Sequence, residues 1–248
     1  FMTQRLRLGE RSLPRLRGFD WIAQLCAGLV DIHAARVLHR DLAPRNVLLA
    51  TRGGAIVLKI ADFGISKMLS ASQTTSTVPA YQGDRAPPEH KQAQAVLQSK
   101  TDRPYSYEFD VFLLGTLCVQ MLLLDLRAWE DIDSQVRSLA EISDLFGTEM
   151  FALLNAMTDG NPSKRPTAAD CFKLASRLYE LELAASRKTA QAAARASGAA
   201  QPDRGDSKRQ RLLADASDVV ATAAAAEAVP LAAGASRQAA AVALRTTE

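Results

Sequence analysis

Two oxygen-bearing side chains stand where they could bind a divalent cation together. Asn46 and Asp62 flank two β-rich runs, residues 47–49 and 56–60, which are joined by a glycine-containing segment. This pattern predicts a β-hairpin. Because a hairpin brings its two ends together, we expect both side chains beside the open end of the hairpin. We call this place the mouth. Hard cations prefer oxygen ligands of these kinds.

The two flanking residues belong to longer motifs. Residues 39–46 read His-Arg-Asp-Leu-Ala-Pro-Arg-Asn, and residues 62–64 read Asp-Phe-Gly. In order and interior spacing they resemble the catalytic loop and the magnesium loop of the protein kinase family. A lone Asp-Phe-Gly would be weak, but both motifs in order around a short hairpin are specific. The alternative, that these are ordinary turn residues, gives no reason for both motifs to occur.

The resemblance implies transfer of the γ-phosphate of ATP, with Mg²⁺, to a hydroxyl group on a protein. Asp41 would accept the proton of the hydroxyl, Asn46 and Asp62 would bind the metal ions, and Asn46 also counts with the catalytic residues. Arg45 would stabilise charge in the transition state. Many serine/threonine kinases have a lysine where Ala43 stands, and the Ala-Pro-Arg-Asn ending instead resembles tyrosine kinases and their relatives. The choice between Ser/Thr and Tyr acceptors stays open.

The nucleotide-binding residues are also implied by the resemblance. Residues 1–9 are similar to the hinge strand between the two kinase lobes. Thr3 would then be the gatekeeper, and the backbones of Gln4 and Leu6 would face the adenine base. A terminus without a role is an equally good interpretation. Leu48 would lie under the adenine, and a plain core position is the compatible alternative.

Other residues of the two motifs are assigned structural or regulatory roles. These are His39, Arg40, Phe63 and Gly64. Residues 65–86 are rich in Ser and Thr and occupy the place of the kinase activation segment. A phosphate added there would pair with Arg40 through charge-assisted hydrogen bonds. A surface loop that is merely rich in hydroxyls is the alternative.

The resemblance also implies two supporting contacts. Residues 87–89 read Pro-Pro-Glu, similar to the end of the activation segment, and Glu89 is expected to form a buried ion pair with Arg165. Residues 110–124 are apolar on nearly every side, which predicts a buried helix. Asp110 would accept hydrogen bonds from the backbone of the catalytic loop, and capping of its own helix is the compatible alternative.

These elements predict an α+β fold that is mostly α, namely a kinase-like C-terminal lobe with small β-hairpins. We expect a kinase domain over residues 1–183 and an alanine-rich tail, disordered or partly helical, over residues 184–248. The sequence has no glycine-rich phosphate loop and no lysine before Lys59. The small β lobe is therefore expected to be missing, the chain to be truncated at its N-terminus, and the isolated chain to be inactive or weakly active.

Charge and composition limit the kinds of partner and the cellular location that we expect. The net charge of +3 gives no reason to expect nucleic acid, and the longest apolar run, residues 111–124, is too short to cross a membrane. Cys26, Cys118 and Cys171 lie in apolar helical patterns, which predicts reduced, buried thiols in an intracellular protein, cytoplasmic or nuclear. A basic cluster at residues 208–211 is interpreted as an import signal, a patch for anionic surfaces, or a solvated charge run. The oligomeric state stays open.

Two other functions compete with a protein kinase. One is a kinase-like lobe that only binds partners. The other is a small-molecule phosphotransferase of the aminoglycoside type, which shares the catalytic Asp and Asn. That group usually lacks a Pro-Pro-Glu-like segment end and a partnership such as Glu89–Arg165, so it ranks last.

Overall fold

The computed structural model describes residues 12–64, 66–68, 86–91 and 106–197. Within these residues the longer elements are five helices and four short strands. In chain order they are α1 (Arg15–Ala34), β1 (Val37–Leu38), β2 (Val47–Arg52), β3 (Ala55–Ile60), β4 (Lys67–Met68), α2 (Tyr107–Leu122), α3 (Ile132–Phe146), α4 (Thr148–Met157) and α5 (Ala168–Ser197). Short 3-10 turns cover Pro44–Asn46 and Pro162–Lys164. The predicted class, mostly helical with small antiparallel β pairs, is confirmed.

The hairpin of β2 and β3 is the larger of the two antiparallel pairs. Its register runs from Val47 opposite Ile60 to Arg52 opposite Ala55, so the strands are longer than the apolar runs suggested. Gly53 and Gly54 make the turn with φ of +57° and +82°. A two-residue turn with both φ values positive matches strand twist and favours glycine. β1 pairs with β4, which joins the chain before the catalytic loop to the chain after Asp-Phe-Gly.

All five helices contribute buried apolar side chains to one core. α1 begins at Arg15, directly after Pro14. Residues 109–122 of α2 are all buried, as its uniform apolarity predicts. Cys26, Cys118 and Cys171 are buried free thiols, and burial raises the pKa of Cys171 to about 12. The prediction of buried thiols is confirmed.

The last described helix is longer than expected. α5 continues to Ser197, whereas the periodic apolar pattern ends near Leu183. Alanine has the highest helix propensity, so a packed helix can extend into an alanine-rich stretch without further burial. The packed part is tied to α1, because Arg15 donates from Nε and Nη2 to both carboxylate oxygens of Glu182 at 3.2 and 3.1 Å. No helix in the described ranges is both long and apolar enough to cross a membrane.

Candidate active site

A buried carboxylate on α2 holds the catalytic loop. Asp110 is fully buried, and its Oδ2 accepts a hydrogen bond from His39 N at 2.8 Å while its Oδ1 accepts one from Arg40 N at 2.7 Å. Oδ2 also lies 3.1 Å from Nε2 of His33. Arg40 has a φ of +67°, a left-handed conformation that a non-glycine residue keeps only when its surroundings enforce it. Asp110 therefore supports the loop, and it lies inside α2, whose first residue is Tyr107 and whose N-cap position is Ser106.

His39 connects the catalytic loop to the segment that carries Asp62. Its Nδ1 accepts a hydrogen bond from Asp41 N at 3.3 Å, so the proton is on Nε2, which donates to Ala61 O at 3.1 Å. The imidazole also lies 5.0 Å from the Phe63 ring, measured between centroids. Burial lowers the pKa of His39, against an opposing effect of the Asp110 charge. A neutral ring with this tautomer satisfies both bonds.

The carboxylate of Asp41 lies at the mouth between two donors. Nη2 of Arg45 donates to Oδ1 and to Oδ2, each at 2.6 Å. Nδ2 of Asn46 donates to Oδ2 at 2.9 Å and to the Asp41 backbone oxygen at 2.7 Å. Oδ2 thus receives two donors and Oδ1 receives one. Since Asn46 directs its amide nitrogen at Asp41, its amide oxygen is the atom that can bind a cation.

The base of the hairpin brings Asn46 and Asp62 to the same place. Beyond the last strand pair, Ala61 N donates to Asn46 O at 2.9 Å, and Asp62 follows directly. Asp62 is exposed, has a φ of +66°, and accepts a hydrogen bond on Oδ1 from Gly64 N at 3.2 Å. A Cβ on Gly64 would lie 3.1 Å from that oxygen, so glycine is the residue that leaves it room.

The side-chain oxygens of Asn46 and Asp62 are suited to binding Mg²⁺ together with a nucleotide. Magnesium in phosphate-transfer sites typically takes one or two protein oxygens and completes its shell with phosphate and water. Asn46 and Asp62 offer that number and kind of ligand. In the described parts of the chain, no cluster of three or more His, Cys, Asp and Glu side chains is arranged to hold a metal by itself. A metal here would therefore depend on the phosphates for part of its coordination.

A side chain that the motifs did not reveal holds the hairpin in position. Gln24, on α1, accepts a hydrogen bond on Oε1 from Leu58 N at 2.8 Å, and its Nε2 lies 3.4 Å from Ile56 O. Both groups are on the edge of β3 that faces away from β2. Nε2 also donates to Asp20 Oδ2 at 2.9 Å, which fixes the orientation of the amide. The sequence signal was a polar pair four residues apart on a helix whose neighbouring positions are apolar.

The Glu89–Arg165 pair is present and lies away from the mouth. Nη1 and Nη2 of Arg165 donate to the two carboxylate oxygens of Glu89 at 2.7 and 2.8 Å. The guanidinium also donates to Asp159 O at 2.8 Å and Glu108 O at 3.0 Å, and it lies 4.7 Å from the centre of the Phe112 ring. Its side chain has no exposed surface. The guanidinium thus contacts three segments of the chain, because Glu108 and Phe112 both belong to α2.

The remaining nucleotide-site residues have different outcomes. Leu48 is 55% exposed, so the alternative that places it in the core is wrong. Thr3, Gln4 and Leu6 lie outside the described residues, as does most of the Ser/Thr-rich segment before residue 86. Their assignments stay predictions.

Comparison with known proteins agrees with this geometry. The family model described as the protein kinase domain matches residues 4–175, more than half of the chain. Serine/threonine-protein kinase Nek3 of Mus musculus is 26% identical over 174 residues, which cover 67% of this chain and 32% of the relative. Serine/threonine-protein kinase Nek11 of Homo sapiens is 27% identical over 177 residues, covering 69% of this chain and 25% of the relative.

A plant relative extends the comparison. Mitogen-activated protein kinase 10 of Arabidopsis thaliana is 29% identical over 159 residues, which cover 64% of this chain and 37% of the relative. In all three cases the match spans well under half of the relative's length. The motifs at residues 39–46 and 62–64, their placement at one mouth and the match over residues 4–175 give one conclusion: this chain belongs to the protein kinase family of enzymes.

Proposed function

We propose that this chain provides the catalytic loop and the metal ligands of a protein kinase that transfers the γ-phosphate of ATP to a hydroxyl group on a protein. The observation that supports this proposal is the convergence at one mouth of a carboxylate held by an Asn amide and a second carboxylate two residues beyond the hairpin. Phosphoryl transfer depends mainly on positioning and charge stabilisation, which such a mouth can supply.

Asp41 is the proposed base and Arg45 the proposed cation. Oδ1 of Asp41 has only one donor among the described residues, so it is the oxygen better able to take the proton of an incoming hydroxyl. The Arg45 side chain is 62% exposed, so it can leave the carboxylate with little cost in burial and face the transferred phosphoryl group. Mg²⁺, held by Asn46 and Asp62, would neutralise phosphate charge when bound.

We also propose that the 248-residue chain alone binds ATP weakly. The sequence has no glycine-rich phosphate loop, and its first lysine is Lys59, after the catalytic loop. In protein kinases the glycine-rich loop and a strand lysine contact the phosphates. Leu48, which is 55% exposed on β2, offers apolar surface for the base.

The acceptor is proposed to be Ser or Thr. The relatives named above are serine/threonine kinases by name, or a mitogen-activated protein kinase. Ala43 and Arg45 instead resemble tyrosine kinases, which makes Tyr the competing acceptor. Analysis of which amino acid becomes phosphorylated in an acceptor protein separates the two.

A non-catalytic kinase-like module is the second candidate, and the missing phosphate loop favours it. The test incubates the full chain with millimolar ATP labelled in the γ-phosphate, Mg²⁺ and a general acceptor protein, beside the Asp41→Asn variant. Slow labelling that Asp41→Asn abolishes supports the kinase. Nucleotide binding that requires Asp62, with no labelling, supports the binding module. Equal labelling by both chains would contradict the proposed base.

A further inference from the structure

Apart from the candidate active site, helix α3 and the turn before it carry exposed apolar side chains. Leu126, Ile132 and Val136 have 57%, 76% and 64% of their surfaces exposed. Ile132 and Val136 lie four residues apart, so they stand one above the other on the same side of α3. We call Leu126, Ile132 and Val136 the α3 surface. Grouped apolar residues at such exposure are typical of contact sites.

The α3 surface rests on a hydrogen-bonded scaffold. Asp131 caps α3 by accepting a bond on Oδ1 from Ser134 N at 2.6 Å, and Ser134 Oγ accepts one from Asp131 N at 2.9 Å. Gln120 Nε2 donates to Leu126 O at 2.6 Å, and Ser138 Oγ donates to Ala128 O at 2.9 Å. The backbone that carries these side chains is therefore held in place before anything binds, which lowers the entropic cost of binding.

Acidic residues surround the α3 surface. Residues 125–144 contain six acidic and two basic side chains, a net charge of −4, whereas the whole chain has +3. The acidic ones are Asp125, Glu130, Asp131, Asp133, Glu141 and Asp144, and all six are exposed. A partner that matches this surface would be basic and would carry apolar side chains.

The chain itself contains a segment of that chemistry. Residues 208–213 read Lys-Arg-Gln-Arg-Leu-Leu, so three cations stand directly before two leucines. The proposed kinase reaction assigns no role to the basic cluster in this segment. We propose that residues 208–213 bind the α3 surface of the same chain, with the two leucines on Ile132 and Val136 and the cations beside the surrounding carboxylates.

The test uses full-length chains and a labelled peptide of residues 204–216. One chain is the wild type. The second is a tail variant in which Lys208, Arg209 and Arg211 become Ala and Leu212 and Leu213 become Ser. Fluorescence anisotropy measures peptide binding to each. A tethered segment acts at a high effective concentration, so we expect peptide affinity for the wild type to be about tenfold weaker than for the tail variant.

Two further variants locate the binding site. Ile132→Ser with Val136→Ser, made in the tail variant, is expected to weaken peptide binding by about tenfold or more, since both leucine contacts are lost. Leu181→Ser is the matched control, because Leu181 is 59% exposed but lies on α5. Circular dichroism melts check that each chain is folded. Peptide affinity that is equal for wild type and tail variant, or unchanged by the Ile132 and Val136 substitutions, would overturn the proposal.

Discussion

Two carboxylate–guanidinium pairs of similar length have different surroundings. In the catalytic mouth, Arg45 donates to both oxygens of Asp41 at 2.6 Å, and 62% of the Arg45 side chain is exposed. In the pair formed by Glu89 and Arg165 the distances are 2.7 and 2.8 Å, and the Arg165 side chain is fully buried. Distance alone would rank the exposed pair as the stronger one.

Solvation reverses that ranking. Water competes for an exposed guanidinium and screens its charge, so such pairs contribute little to stability. If one member of a buried ion pair is removed, the charge of the other member is left buried without a partner. Arg165 also bonds two backbone oxygens, of Asp159 and Glu108, whereas Arg45 is held by the Asp41 carboxylate. The buried pair is thus structural, and the exposed one is free to rearrange during a reaction.

The largest expected effect comes from Arg165→Ala. It leaves the Glu89 carboxylate and two carbonyl groups without their donor, and we expect a loss of about 3–5 kcal/mol in the free energy of unfolding. Urea denaturation followed by circular dichroism measures it. Arg45→Ala is the matched control at the exposed pair. A loss at Arg165 no greater than at Arg45 would contradict the comparison.

Gln24→Ala probes the support of the mouth. The variant removes the partner of Leu58 N and of Ile56 O on a part-buried edge of β3, so we expect about 1–3 kcal/mol of destabilisation. The hairpin carries Asn46 and Asp62 at its two ends, so ATP affinity should fall as well. Gln135→Ala on α3 is the equal truncation away from the hairpin. Unchanged ATP affinity in a folded Gln24→Ala chain would show that α1 does not position the mouth.

The pH dependence of stability tests the neutral His39. Burial lowers the pKa of His39 and of His90 in the folded chain. Below the ordinary histidine pKa of about 6.5 the unfolded chain therefore binds more protons, and the free energy of unfolding falls as the pH is lowered through that range. Denaturation at pH 7.5 and 5.5 measures this loss. His39→Phe should retain only the part due to His90, and an undiminished loss would contradict a neutral His39.

Arg45→Ala should have the smallest effect on stability. An exposed ion pair contributes about 0–1 kcal/mol, so the free energy of unfolding should change by no more than that. Phosphate transfer should fall far more, because the variant loses the cation that we propose to face the transferred group. Arg45→Lys keeps the charge and should restore part of the transfer. A large destabilisation with no effect on transfer would make this pair structural like the other one.

Sequence reasoning reached the mouth because its residues lie in contiguous motifs. Asp41, Asn46 and Asp62 are few in number, fixed in spacing and joined by one hairpin, so local pattern and resemblance were sufficient. The contact of Glu89 with Arg165, 76 positions apart, came from the resemblance and not from the pattern. No local signal in the residues themselves joins two such distant positions.

Other features could not be obtained from local pattern. Gln24 acts through the backbone of β3, and a backbone acceptor leaves no mark in the sequence of its partner. His33 lies against the Asp110 carboxylate, 77 positions away, and the Tyr107 ring, and no local pattern joins such distant positions. The sequence left Leu48 either under the adenine or in the core, because an aliphatic run does not say which face of a two-stranded hairpin is covered.

The most direct test of the central claim asks whether Asn46 and Asp62 bind one metal–nucleotide complex. Mn²⁺ with ATP is titrated into the full chain labelled with ¹⁵N, and paramagnetic broadening of backbone amides is recorded by NMR. We expect the earliest broadening at residues 46 and 61–64, and its loss in Asp62→Asn. Broadening centred elsewhere, or the same broadening in Asp62→Asn, would contradict the account.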